Sequence, residues 1–444
     1  MAVVDDTIVT VALPSMRRDL GFSGADAQWI FNGYMLAFGG LLLLSGRVAD
    51  LWGRRRMFLV GLALFGVSSL LGGLALSPWV LISARVLQGV GAAAFVPASL
   101  SLLTATFTEG EEGNRAIGVY GAMAALGFVV GMVGGGIITE LLGWRWVLFV
   151  NVPFALAAFL ATPAAITESH DEAAPRTLDV PGALTATLGL ASLIYAVSEV
   201  PESGWASTAT LGFGASGASL LALFVFAERR SLAPLVPLEA FRERAVVGPN
   251  AAIFLQSMVG LSWLYVLTLY LQDALGRSPL EAGLLFLPMT LTSVAAGSVA
   301  GRLVSRLGTR TTAASGLALS AAGLLLTSAM SPEGGLSPVL SGMVVGEAGF
   351  MLSNVALTIA GSGGAGENRK GLSAGLLNTS IQFGNAWSLG IVATVVAATT
   401  VGDGAAGPEA LVGGLRWGAL VCVAFAVAAV PVVLVGLPGR EREA

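Results

Sequence analysis

Gly46-Arg47-Val48-Ala49-Asp50-Leu51-Trp52-Gly53-Arg54-Arg55 returns in weakened form as Gly301-Arg302-Leu303-Val304-Ser305-Arg306-Leu307-Gly308-Thr309-Arg310. Both copies are short cationic breaks between long apolar runs. A repeat of this kind marks a chain built from two related helical halves. The copies lie 255 residues apart (46 to 301), more than half of the 444-residue chain, so extra material must separate the halves.

The solvent of those halves follows from composition. The chain is 55% hydrophobic and 11% charged, with a mean hydropathy of +0.81. A soluble domain carries charge on roughly a quarter of its residues, so a lipid bilayer is the expected medium. The net charge of -4 points to no nucleic acid and no polyanionic partner. Cys422 is the single cysteine, which excludes a disulfide framework and a cysteine metal site. His170 sits in the polar run Glu168-Ser169-His170-Asp171-Glu172 and reads as a solvated residue rather than a ligand. No nucleotide-binding loop, metal-ligand cluster or nucleophile–base pairing is present, so neither an enzyme nor a cofactor or metal is expected.

A membrane helix needs about 20 apolar residues. Thirteen full-length candidates run from 27–46 to 412–437. Residues 1–16 hold Asp5 and Asp6, then a short apolar stretch from Ile8 to Pro14, which reads as an incomplete first helix. Counting it gives fourteen spans. With the N-terminus inside, seventeen Lys and Arg residues fall on the cytoplasmic side and five outside, and both termini are cytoplasmic. The expected architecture is all-α integral membrane. An N-terminal bundle covers 1–166, a linker and two-helix insert (181–199 and 207–227) lie within 167–244, and a C-terminal bundle covers 245–444. Two membrane-embedded halves of this kind are the architecture of secondary transporters.

Ionisable side chains inside a bilayer cost about 2.5–3.5 kcal/mol each and mark candidate sites. Asp5, Arg85 and Glu347 are three such residues. Arg85 is followed one turn later by Gln88 and Gly89, so a polar patch faces inward; Arg85 either tunes a nearby carboxylate or bonds backbone carbonyls structurally. Glu347 and Asp5 are either exchangeable carboxyls or groups held by a neighbour. In the quoted loop, Gly46 and Gly53 permit a tight turn and close helix approach, and Asp50 can cap the next helix or pair with Arg54 or Arg55 across the loop as a gate latch. A plain topogenic signal is the alternative. Gly127, Gly131, Gly134, Gly135 and Gly136 offer small residues at helical spacing for close packing. Asn32, Gln88, Asn354, Asn378, Gln382 and Asn385 either line a cavity or make ordinary interhelical bonds.

Taken together, these residues resemble the major facilitator superfamily, specifically its fourteen-helix drug:proton antiporters. Gly46 to Arg56 is similar to the family's loop motif between helices 2 and 3. Arg85 with Gln88, Gly89 and Gly91 is similar to its helix 4 motif. Val4-Asp5-Asp6-Thr7-Ile8-Val9-Thr10-Val11-Ala12-Leu13-Pro14 resembles the helix 1 signature, normally preceded by about a dozen more membrane residues. Trp144-Arg145-Trp146, Asn151-Val152-Pro153 and Asp179-Val180-Pro181-Gly182 add to the likeness. One departure stands in helix 5, where Met132 follows Gly131 in place of the family's proline, removing an expected kink. The resemblance implies two six-helix bundles plus a two-helix insert in the bacterial inner membrane. It implies export of a lipophilic small molecule against protons by a monomer. Asp5, Arg85 and Glu347 would handle coupling, while Asp50, Arg54 and Arg55 would form the gate. An importing symporter, or a non-transporting membrane sensor, is the alternative reading.

Overall fold

The computed structural model describes residues 1–22, 26–107, 111–169, 179–230, 234, 243–333, 335–363, 370–402 and 408–437. Among them the regular structure is helical. The α-helices are α1 Ala2–Leu20, α2 Trp29–Trp52, α3 Arg54–Gly73, α4 Pro78–Thr106, α5 Glu111–Leu141, α6 Arg145–Phe149, α7 Asn151–Ala165 and α8 Val180–Ser203. They continue with α9 Thr208–Arg230, α10 Arg244–Leu269, α11 Pro279–Leu285, α12 Leu287–Leu307, α13 Thr309–Ser328, α14 Leu336–Gly363, α15 Lys370–Gly402 and α16 Pro408–Gly436. A π-helical turn, Tyr270–Ala274, closes α10. Eleven segments among the described residues are long and apolar enough to cross a membrane.

Helix is the expected answer for such a chain, because hydrocarbon offers no hydrogen-bond partner and only a helix satisfies its own backbone. Leu76, Trp79, Leu141 and Trp205 stay more than two-thirds exposed; in a bilayer that apolar surface meets acyl chains rather than water. All thirteen apolar runs are helical, and the short first run is part of a helix from Ala2 to Leu20, about 28 Å long at 1.5 Å per residue. α5 runs without a break across Gly131 and Met132, as the missing proline implies.

The chain divides into two compact units. Unit 1 comprises Met1–Ser192 with Ala215–Leu235, and unit 2 comprises Leu193–Gly214 with Val236–Ala444. The insert helices α8 and α9 thus contribute their halves to different units. Within unit 1, α3 and α4 cross so closely that a Cβ at Gly61 would stand 2.6 Å from the Phe95 amide nitrogen. α5 lies on α1 by the expected glycine face: Gly127 meets Val4, Gly131 meets Thr7, and Gly135 meets Ile8. Gly136 is buried as well. Within unit 2, α13 and α14 approach backbone to backbone at Gly316, Gly323, Gly342 and Gly349. An apolar core containing Ile253, Leu317, Leu357, Leu377 and Val433 ties α10, α13, α14, α15 and α16 together.

The two repeat copies occupy equivalent places in their units. Gly53 joins α2 to α3 with φ 118°, and Gly308 joins α12 to α13 with φ 82°. Both torsions suit glycine and strain any other residue. Gly46 behaves otherwise than expected. Among the described residues no atom lies within 4 Å of a Cβ built there, so it mediates no close approach to a described helix.

Candidate functional site

Arg85 enters the interior of unit 1 from α4, where a lone guanidinium in an apolar bundle would be prohibitively costly. Its surroundings answer much of that cost through two of its three nitrogens, while the other terminal nitrogen is buried without a hydrogen-bond partner. Nε donates to the Ile30 carbonyl of α2 at 2.9 Å. NH1 donates to Asp5 Oδ2 of α1 at 2.5 Å and to Gln88 Oε1 at 2.8 Å. The guanidinium carbon lies 4.4 Å from the Tyr34 ring centroid, a cation–π contact. Asp5 and Arg85 are both fully buried.

The second Asp5 oxygen is also occupied. Oδ1 accepts from Asn151 Nδ2 of α7 at 2.6 Å and from Gln88 Nε2 at 3.2 Å. Gln88 Nε2 donates in turn to Ser69 Oγ of α3 at 2.6 Å. Five helices therefore meet on one ion pair. Close helix approach makes this possible, since a Cβ at Gly89 would stand 3.0 Å from the Tyr34 carbonyl carbon. Asp5 and Arg85, separated by 80 positions, are brought together as a charged pair. Gln88 belongs to their network rather than to a free cavity wall. Asn32 is wholly buried on α2, and neither polar atom of its side chain has a partner.

Glu347 belongs to unit 2, where it is buried on α14 and hydrogen-bonded to Ser293 of α12. Asn354 donates to Gln256 Oε1 at 3.4 Å, and Gln256 Nε2 donates to the Phe350 carbonyl at 3.2 Å. Gln382 is buried, whereas Asn378 is exposed. Asn354 and Gln256 hold α14 against α10, and the Glu347–Ser293 bond links α14 to α12.

The loop between α2 and α3 is organised by a residue that sequence reasoning did not single out as a site. Glu168, just beyond α7, accepts from the Arg55 and Arg56 amides at 3.0 and 3.2 Å. The Arg54 amide donates to the Ser169 carbonyl at 2.9 Å, and Arg55 NH1 to the Ile166 carbonyl at 3.1 Å. A carboxylate there answers both the orphan amides and the positive end of the α3 dipole. The side chain of Asp50, the expected latch, lies outside the described residues. Glu168→Gln keeps the shape and removes the charge, with an expected cost of about 1 kcal/mol at this helix end. Amide hydrogen exchange at Arg55 and Arg56 should quicken severalfold; unchanged protection would show that the cap carries no energy.

Trp144 and Arg145 have an equally local role. Trp144 Nε1 and Arg145 NH1 both donate to Asp19 Oδ2, at 2.9 and 2.6 Å, and Arg145 NH2 donates to the Ala75 carbonyl at 3.1 Å. They fasten the end of α1 to the start of α6 and the α3–α4 turn.

Unit 1 thus holds a buried Asp–Arg pair knotted across five helices, and each unit has a helix–helix turn made on a positive-φ glycine. The model of the Major Facilitator Superfamily matches residues 1–389. The chain belongs to the major facilitator superfamily. It is therefore a multi-pass membrane protein of a transporter family. It is 39% identical to a puromycin resistance protein of Streptomyces alboniger, covering 96% of this chain and 86% of that one. It is 38% identical to a cephamycin export protein of Amycolatopsis lactamdurans, covering 100% and 91%. A tetracenomycin C resistance and export protein of Streptomyces glaucescens is 33% identical, with coverages of 91% and 74%. Among solved structures, the POT family transporter PepTSo superposes with a TM-score of 0.66 at 14% identity, covering 98% of this chain and 96% of that one. The nucleoside transporter NupG does so at 0.65 and 12%, with coverages of 98% and 96%. At those identities the likeness is one of fold.

Asn151, Ser69 and Tyr34 complete the ion-pair network but carried no site assignment from sequence. Asn151 had one signal, its place in the Asn151-Val152-Pro153 motif. Ser69 and Tyr34 had none, since a serine or tyrosine in an apolar helix is ordinary.

Proposed function

We propose that the protein exports amphipathic drugs or natural products across the bacterial inner membrane in exchange for protons, by alternating access. The observation that carries this reading is the Asp5–Arg85 pair held inside a family fold, because charge buried at that cost needs a task. Relatives named for antibiotic resistance and export support the direction. Asp5, Arg85 and Glu347 handle coupling. The loop from Gly46 through Asp50 and Gly53 to Arg54 and Arg55 gates the cytoplasmic side. Asn32, Asn354, Asn378 and Gln382 contribute to substrate contact, and Gly127, Gly131, Gly135 and Gly136 set the α1–α5 spacing. In this reading the chain has two six-helix bundles, 1–166 and 245–444. The insert within 167–244 makes fourteen spans, both termini are cytoplasmic, and the monomer is the working unit.

Reconstitution tests the proposal. Proteoliposomes with a trapped pH-sensitive dye should show proton movement opposite to substrate movement when challenged with lipophilic compounds. Proton and substrate moving together would make the protein a symporter and sink the export reading.

Glu347→Gln removes a carboxyl while preserving a hydrogen-bond partner for Ser293. Proton-driven export should fall at least tenfold, with insertion and melting temperature near wild type. Export at the wild-type rate would take Glu347 out of the coupling role.

A further inference from the structure

Within unit 2, α10 and α16 touch backbone to backbone, near the start of one and the end of the other. A Cβ built on Gly436 would stand 2.8 Å from the Gly248 Cα, and one built on Gly248 would overlap the Gly436 carbonyl. Beside this crossing lies a groove of about 430 Å³. Val247 and Ala251 wall it on α10, and Pro431, Val432 and Val435 wall it on α16. None of these side chains carries a polar atom. Val432 also packs on the core of unit 2, so the groove backs directly onto that core. Val435 is 81% exposed, and the groove therefore opens outward from unit 2.

The medium decides what fills it. Both walls lie within segments of membrane length, Ala245–Ala274 and Pro408–Gly436. Water in the groove would meet no hydrogen-bond partner in the lining. A void would forfeit dispersion contacts on both helices. The volume falls within the range of ligand pockets, about 300–1,000 Å³, but the orienting polar groups of such a pocket are missing from these walls. A hydrocarbon chain leaves nothing unsatisfied on either side.

We propose that this groove is a site for one acyl chain of a membrane phospholipid, held as part of the packing of unit 2. The chain completes the α10–α16 contact on the outside of the bundle, as Ile253 and Val433 complete it within the core. The groove lies at the end of the bundle where α10 begins at Arg244 and α16 closes at Gly436, so the lipid belongs to the leaflet on that side. Because the lining is wholly apolar, selection acts on the chain and not on the headgroup.

Full-length protein in vesicles doped with a phospholipid carrying a photoactivatable diazirine in its acyl chain tests the assignment. After illumination, peptide mass spectrometry should find label within 247–251 and 431–436 about fivefold above that at Leu325 and Leu326, exposed leucines of α13 outside the groove. Ala251→Phe and Val432→Phe each place a ring in the groove. Either should bring its labelling down to the α13 level, with phosphatidylethanolamine and phosphatidylglycerol probes alike. Stripping phospholipid with detergent gives a second readout. It should lower the melting temperature of wild type by several degrees and that of Ala251→Phe by much less, because the ring replaces the chain. Should one variant fold poorly and melt low before stripping, the other carries the test. Wild-type labelling no higher in the groove than on α13, or labelling by one headgroup class alone, would overturn the site. Displacement of the groove label by a lipophilic drug that leaves α13 labelling unchanged would assign the groove to substrate and likewise overturn it.

Discussion

Asp5→Ala protein, reconstituted at wild-type density, shows no export above empty vesicles and melts well below wild type. The reason lies in what is left behind. Arg85 would keep its Ile30 and Gln88 bonds but lose the one carboxylate among the described residues that touches it, and Asn151 would lose its acceptor. Stranding one member of a buried pair costs about 3–5 kcal/mol, more than the pair itself is worth. Removing both charges should therefore cost less than removing one. Asp5→Asn combined with Arg85→Gln should recover much of the melting temperature while export stays absent, the pattern of strongly coupled sites. If the single and double variants destabilise additively, the pair is not the energetic unit argued here. Arg85→Lys belongs to the same test. An ammonium carries its three donors on one nitrogen. It cannot stand where Nε meets Ile30 and also where the terminal nitrogen meets Asp5 and Gln88, nor lie flat on Tyr34; coupling should fail although the charge survives.

The second large effect is expected at the α13–α14 crossing, where no ionisable group takes part. A Cβ at Gly342 would stand 2.6 Å from the Gly323 carbonyl oxygen and 2.8 Å from the Thr327 amide nitrogen. At Gly316 it would stand 2.7 Å from the Ser353 amide nitrogen. These obstacles are backbone atoms, which cannot rotate aside as a side chain can. Overpacking normally costs about 1–3 kcal/mol, and here the whole crossing must open to admit one methyl group. Gly342→Ala should consequently abolish recovery of monodisperse protein or lower its melting temperature by many degrees. Glu347 lies on α14 close to this crossing, so any surviving fraction should export poorly. Gly301→Ala serves as the control, since a Cβ there meets nothing within 4 Å and its stability should match wild type. Equal stability of the two variants would show that the crossing is softer than its geometry implies.

Much of the fold was legible because a bilayer demands so little of a sequence. Every apolar run of membrane length is a helix, since lipid leaves the backbone no other solution. The repeated loop pointed to related halves, and both copies carry a left-handed glycine between two helices. The glycine ladder of α5 pointed to close packing, and it receives α1. Asp5 and Arg85 were legible as individual candidates because a charge within an apolar run is conspicuous by its cost.

Their partnership was not legible, for a physical reason. Hydrophobic length specifies that a helix crosses the membrane, but which face it turns to which neighbour depends on packing among all of them. Only the assembled unit 1 decides that Asp5 is consumed by Arg85, Gln88 and Asn151 while a side-chain oxygen of its neighbour Asp6 is buried without a partner. Nor could local pattern reveal that Glu168, more than a hundred residues downstream, would cap α3. What the chain order determined was the inventory of helices and buried charges, through the energetics of a backbone and of ions in hydrocarbon. What tertiary structure decided was the pairing of those charges, because a hydrogen bond is directional and short, and only the docking of five helices brings its two ends within reach.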